Sequence, residues 1–174
     1  MPVLPTKWPP WLGWPLAAAV TASLVAAMRP LWRAAVTSGS RRAYLLSARG
    51  NHLPSNATER VLWGLVSRCG GIGEEITYRG VLFGVLWRLS GSVPLAALGS
   101  AIVFTVSHWM QGPKSMVIIF GFALQFQALA LLTGSLAIGI TVHVAYDLLA
   151  GLHYARYGRV LGYQPAEHRP TASA

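Results

Sequence analysis

Charged residues leave long stretches of this chain untouched, and those stretches predict its architecture. Residues 8–28 contain no Asp, Glu, Lys or Arg, and residues 89–113 carry no titratable side chain apart from His108. Either run is long enough to cross about 30 Å of hydrocarbon at about 1.5 Å per helical residue. Across residues 115–152 the only formal charge is Asp147, and one helix of that length would reach about 57 Å, too far for a single crossing. Thr133-Gly134-Ser135 is the natural break, giving two antiparallel helices. Upstream, Val61, Leu62, Leu65, Val66 and Cys69 recur at helical spacing, with Arg68 and the run Gly70-Gly71-Ile72-Gly73 as an interruption. The pattern therefore predicts spans at about 11–28, 73–89, 93–110, 115–132 and 136–152, with Gln111-Gly112-Pro113-Lys114 as a turn. This is an all-α, polytopic transmembrane helical bundle of about five spans.

Composition supports the same class. Of 174 residues, 53% are hydrophobic and 11% charged, too apolar a balance for an ordinary soluble domain. The net charge of +9 resides in arginines that cluster between and after the apolar runs. They form no basic face interleaved with aromatics, so nucleic acid is not the expected partner; lipid headgroups and topology explain them. Arg29, Arg33, Arg41, Arg42, Arg49 and Arg60 place residues 29–60 in a cytoplasmic loop with a short surface helix. Lys114 and the tail join it inside, the N-terminus lies outside, and the C-terminus lies inside. A cleaved signal peptide is the alternative reading of the first run, since Lys7 precedes an apolar core ending in small residues.

The expected organisation is an N-terminal helix and basic loop over 1–60, a core over 61–158, and a flexible tail over 159–174. The single cysteine, Cys69, excludes an intramolecular disulfide and a CxxC site. No internal repeat is visible, which argues against an inverted-repeat transporter. Arginine far outnumbers lysine, a bias of GC-rich coding that suggests a bacterial cell membrane. No feature specifies an oligomeric state.

Three of the five acidic residues, Glu74, Glu75 and Asp147, and two of the five histidines, His108 and His143, lie inside apolar stretches. Each ionisable group in a span costs roughly 2.5–3.5 kcal/mol, so such groups turn inward and act. Glu75 and Arg79 are four apart and share a helix face, with Glu74 rotated by about 100°; a carboxylate held by the guanidinium leaves its neighbour free. Phe104 and His108, and His143 and Asp147, are likewise four apart. Under the expected topology all five ionisable groups fall in the cytoplasmic half of the bilayer. Plainer readings exist for each residue: carboxylates suit a helix start, and a lone histidine is often a core or interfacial one. A carboxylate and a histidine holding a water make a general base, and a second histidine can donate to an oxyanion. The same groups can also hold zinc with an open water position, although no His-Glu-x-x-His is present.

Glu74-Glu75-Ile76-Thr77-Tyr78-Arg79, Phe104-Thr105-Val106-Ser107-His108 and His143-Val144-Ala145-Tyr146-Asp147, in that order on separate apolar segments, resemble the signature of the CAAX-protease and bacteriocin-processing (Abi) family of intramembrane endopeptidases. The resemblance implies peptide-bond hydrolysis at the membrane by glutamate-activated water. Carried over by motif position, Glu74 with His108 would activate the water, Glu75 and Arg79 would brace the site, and His143 and Asp147 would take the oxyanion-stabilising positions. Members are often classed as metalloproteases, yet the resemblance favours a metal-independent mechanism; the expected cofactor is none, with zinc the alternative. Asp147 stands where asparagine is common, so either it is protonated, as buried carboxyls can be, or it orients His143. Many relatives also carry more helices before the motifs. The expected partners are the lipid bilayer and a peptide or protein substrate. Two other classes remain open: a non-catalytic binding or self-immunity protein, and a proton-coupled transporter.

Overall fold

The computed structural model describes residues 10–36, 54 and 56–160. Every regular element among them is helical. A 3-10 turn at Pro10–Leu12 leads into α1 (Gly13–Val36). Next, α2 (Ala57–Glu74) runs directly into a π-helical segment (Glu75–Leu82) and on into α3 (Phe83–Ser90). Then come α4 (Val93–Ser107), a 3-10 turn at Trp109–Gln111, α5 (Pro113–Thr133) and α6 (Leu136–Val160).

Local chemistry sets most of these ends. The Asn56 side chain accepts a hydrogen bond from the Glu59 backbone N–H at 2.9 Å and caps α2. Gly91 and Gly134 end α3 and α5 at φ 64° and 66°, a left-handed conformation open to glycine without a Cβ clash. Proline in the first turn of α4 and of α5 suits backbone positions that have no intrahelical acceptor.

Several boundaries differ from the expected ones. The first helix does not stop at the arginines but runs to Val36, so residues 29–36 are not loop. Charge ends an apolar run, whereas arginine, alanine and leucine still favour helix. The short surface helix and most of the basic loop lie outside the described residues. At the other end α6 continues past Leu152 to Val160, again beyond the apolar run; residues 161–174 of the expected tail are also outside. Among the described residues Ser115–Thr133 is long and apolar enough to cross a membrane, while Trp14–Leu24, Val93–Ser107 and Leu136–Leu152 are apolar but shorter.

The largest correction concerns Gly70-Gly71-Ile72-Gly73, which does not interrupt the helix at all. A Cβ on Gly71 would lie 2.7 Å from Val144 Cγ2 and 3.1 Å from the Val144 backbone nitrogen. That glycine lets α2 lie against α6; contact between helices outweighs its weak helix propensity. Gly151 serves the opposite partner, leaving room on α6 for the Trp63 indole, whose Nε1 donates to the Asp147 carbonyl at 3.2 Å. Gly71→Ala is accordingly expected to lower stability by about 1–3 kcal/mol through overpacking. Gly73→Ala, where a Cβ meets nothing within 4 Å, should leave it unchanged or raise it by up to about 1 kcal/mol. Thermal unfolding of the two variants in the same lipid discs checks the contrast.

Two apolar clusters hold the bundle. Ala17, Val20 and Leu24 of α1 pack with Phe126 of α5 and Val142 of α6, while Ala101 and Phe104 of α4 pack with Ala123 of α5 and Tyr78 of the π segment. Polarity is otherwise inverted. Val61, Leu65, Ile76, Val85, Leu98, Ile102, Val106 and Leu149 are exposed, whereas Glu75, Arg79, Gln127 and His143 are buried.

Candidate active site

The π segment carries Glu75 and Arg79, and Glu74 is the last residue of α2 immediately before it. A π turn closes hydrogen bonds five residues back rather than four, and such turns occur mostly as short departures inside α-helices, frequently at functional sites. Here the Phe83 N–H reaches the Tyr78 carbonyl. That carbonyl also accepts from the Ser100 hydroxyl of α4 at 2.7 Å, which ties the widened turn to its neighbour.

Glu75 is fully buried, and three groups address it. Arg79 Nη1 stands 3.4 Å from Glu75 Oε1, and His143 Nδ1 lies 2.9 Å from the same oxygen. The third is the α6 backbone: a Cβ on Gly139 would be 3.2 Å from Glu75 Oε2, so glycine there makes room for the carboxylate. An ionised carboxylate offers only lone pairs, so His143 Nδ1–H is the donor. The guanidinium is in turn stacked 4.2 Å over the Phe104 ring and 5.5 Å from the Phe126 ring, a cation–π arrangement that suits a charge removed from water.

Glu74, one position earlier, is only part-buried and faces the two histidines. Its Oε1 is 4.0 Å from His108 Nε2 and its Oε2 is 3.5 Å from His143 Nε2. His108 Nδ1 lies 2.9 Å from the Phe104 carbonyl oxygen, which can only accept. The proton is therefore on Nδ1, and in the neutral ring Nε2 presents a lone pair toward Glu74. Ser107 Oγ donates to the same Phe104 carbonyl at 2.7 Å and stands 3.1 Å from His108 Nδ1, consistent with that tautomer.

Asp147 Oδ2 lies 3.7 Å from His143 Nε2. It does not hold the Nδ1 side of that ring; Glu75 does. Phe126 stacks on His143 with centroids 5.0 Å apart and planes at 20°, and Phe104 sits 4.6 Å from the His108 ring. The structure thus brings Glu74, Glu75, Arg79, His108, His143 and Asp147 into one cluster from three separate helical stretches.

Sequence reading had paired Glu75 with Arg79 but missed that Glu75 orients His143. It also missed Phe126 and Gly139. Gly139 had a usable signal, since it stands four residues before His143 and so shares its helix face. Phe126, one apolar residue among many on α5, had none. Among the described residues no three His, Cys, Asp or Glu side chains converge closely enough to hold a metal ion, so the donors as placed do not fit a zinc site.

The model of one protein family, described as type II CAAX prenyl endopeptidase Rce1-like, matches residues 56–149. The match covers just over half of the 174 residues and contains all six clustered side chains. No curated protein and no solved structure matches the chain.

Proposed function

This chain belongs to the Rce1-like family of type II CAAX prenyl endopeptidases, whose members are integral membrane proteins, and from that membership we propose that it is an intramembrane endopeptidase using water activated by Glu74 and His108. The observation that carries the mechanism is the 4.0 Å gap between Glu74 Oε1 and His108 Nε2. Both atoms are acceptors. One water set between them donates a hydrogen to each, which turns an oxygen lone pair outward for attack.

Attack on the scissile carbonyl passes the water proton to Glu74 and creates a tetrahedral oxyanion. His143 stands on the far side of Glu74, with Nδ1–H fixed on Glu75. For its Nε2 to donate to the oxyanion the ring carries both protons, and Asp147 lies beside that nitrogen. Glu74 then hands its proton to the departing amine as the C–N bond breaks. Water and peptide become acid and amine, with no intermediate covalently bound to the protein.

The surroundings support a membrane setting. Buried ionic groups inside an exposed apolar jacket are the arrangement that lipid selects. We place the chain in a cell membrane as a multi-pass protein of about five spans, probing N-terminus out and C-terminus in by the arginine distribution, with 61–158 as the peptidase core. The substrate is a membrane-associated peptide or protein, prenylated or not. The excess of arginine over lysine is the feature from which we assign that membrane to a bacterium.

Reconstituted protein incubated with a mixed library of prenylated and unprenylated peptides tests the reading. Cleavage should persist in the presence of a strong chelator, and cleavage abolished by chelator and restored by zinc would overturn the metal-free mechanism. Asp147→Asn should keep activity within a few-fold, because Glu75 rather than Asp147 orients His143. Complete loss in that variant would show that the aspartate charge takes part.

A further inference from the structure

The two members of the proposed water pair come from different helices, Glu74 closing α2 and His108 standing just past α4. Their separation therefore depends on how α4 is seated along the rod formed by α2, the π segment and α3. Ser100, Phe104 and His108 are spaced by four and share one face of α4. Contacts with the rod fall in order along that face. The Ser100 hydroxyl donates to the Tyr78 carbonyl at 2.7 Å, Phe104 meets the Tyr78 ring at 5.0 Å and the Arg79 guanidinium at 4.2 Å, and His108 Nε2 faces Glu74 Oε1 at 4.0 Å. Beside Ser100, a Cβ on Gly99 would lie 3.1 Å from Leu86 Cδ1. Methyl and ring contacts fix the spacing of two helices but tolerate sliding along their axes. A short hydrogen bond does not.

Ser100 also departs from the pattern of other hydroxyls in the bundle. Thr21, Thr105, Thr133 and Thr141 each donate to the carbonyl four residues back in their own helix. Ser100 is 2% exposed and donates instead to a neighbouring backbone, at a carbonyl inside the π segment. That carbonyl has two lone pairs; the Phe83 N–H meets one and Ser100 the other. From these features we propose that Ser100 is a positioning residue: its hydroxyl locks α4 on the π segment in the axial register that leaves room for one water between Glu74 and His108. The inference rests on the peptidase reading, because the gap matters only if water held there attacks. Ser100 lies about two helical turns from His108 and acts through the register alone.

Ser100→Ala in the full chain in lipid discs is expected to lower kcat by about 10–100-fold with KM unchanged, the scale of a small misplacement of reacting groups. The unfolding midpoint should move by no more than about 3 °C, because hydroxyl bonds between helices in lipid contribute little to stability. Thr105→Val removes a buried hydroxyl bonded only within α4 and should leave kcat unchanged. Adding Ser100→Ala to His108→Ala should cause no further loss, since the gap is already gone. A second readout needs no cleavage: spin labels at Ile72 and Val106, both exposed and each two residues before a member of the pair, report the spacing of α2 and α4 in a Cys69→Ser chain. The distance should be single and narrow with Ser100 in place, and shifted or broadened by Ser100→Ala. An unchanged distance would overturn the inference, as would an equal loss of kcat in Thr105→Val, or unchanged kcat in Ser100→Ala where Glu74→Gln is inactive. Full activity in both Glu74→Gln and His108→Ala would instead sink the water mechanism, and the distance then decides the register by itself.

Discussion

Glu74→Gln should lower kcat by about 10²–10⁴-fold, the usual contribution of a positioned general base. Glutamine keeps the shape of the side chain but cannot take a proton at physiological pH, so any loss reflects chemistry rather than packing. His108→Ala is expected to cost a similar factor, because in the proposed mechanism its Nε2 accepts the other hydrogen of the same water. The double variant should then be little worse than either single one, since residues acting as a unit are strongly non-additive. Initial rates on one cleaved reporter peptide in lipid discs decide this. Retained activity in Glu74→Gln, or losses that multiply in the double variant, would sink the shared-water mechanism.

Arg79→Leu should destabilise the fold by about 3–5 kcal/mol, because it leaves the Glu75 carboxylate buried without its cation. Arg79→Lys should recover only part of that. An ammonium has no planar face to lie over Phe104 and no fork to offer a carboxylate. The double variant Glu75→Gln with Arg79→Met removes both charges together and is expected to return most of the stability while lowering activity, because His143 loses a charged partner for Nδ1. Thermal unfolding in discs reads the stability series, and an unchanged midpoint in Arg79→Leu would contradict the bracing role.

Which parts of the molecule were legible in advance follows from what each signal measures. Ionisable groups in apolar runs are costly wherever they stand, so Glu74, Glu75, His108, His143 and Asp147 were conspicuous without any knowledge of packing. Turns at Gly112 and Gly134 were equally plain, because both need a positive φ. The glycines at 70, 71 and 73 misled for the opposite reason. Propensity counts a glycine as a break, while Gly71 is a contact with Val144 that only a partner helix reveals. Hydropathy marked where apolar surface ends, not where helix ends, and so α1 and α6 were both read short. The Glu75–His143 hydrogen bond joins residues 68 positions apart, and no local pattern encodes it.

The widened turn at Glu75–Leu82 uses one residue more per hydrogen-bonded ring than the α-helix on either side of it. It is thus a phase joint in an otherwise continuous rod. The half before it is clocked by Gly71 and Trp63 against α6, and the half after it by the buried Phe83, with the Ser100 hydroxyl pinning the joint between them. Each half can drift in sequence under its own packing constraints without rotating the other. Glu74, which closes the first half, and Phe83, which opens the second, can therefore answer to different neighbours although they share one backbone.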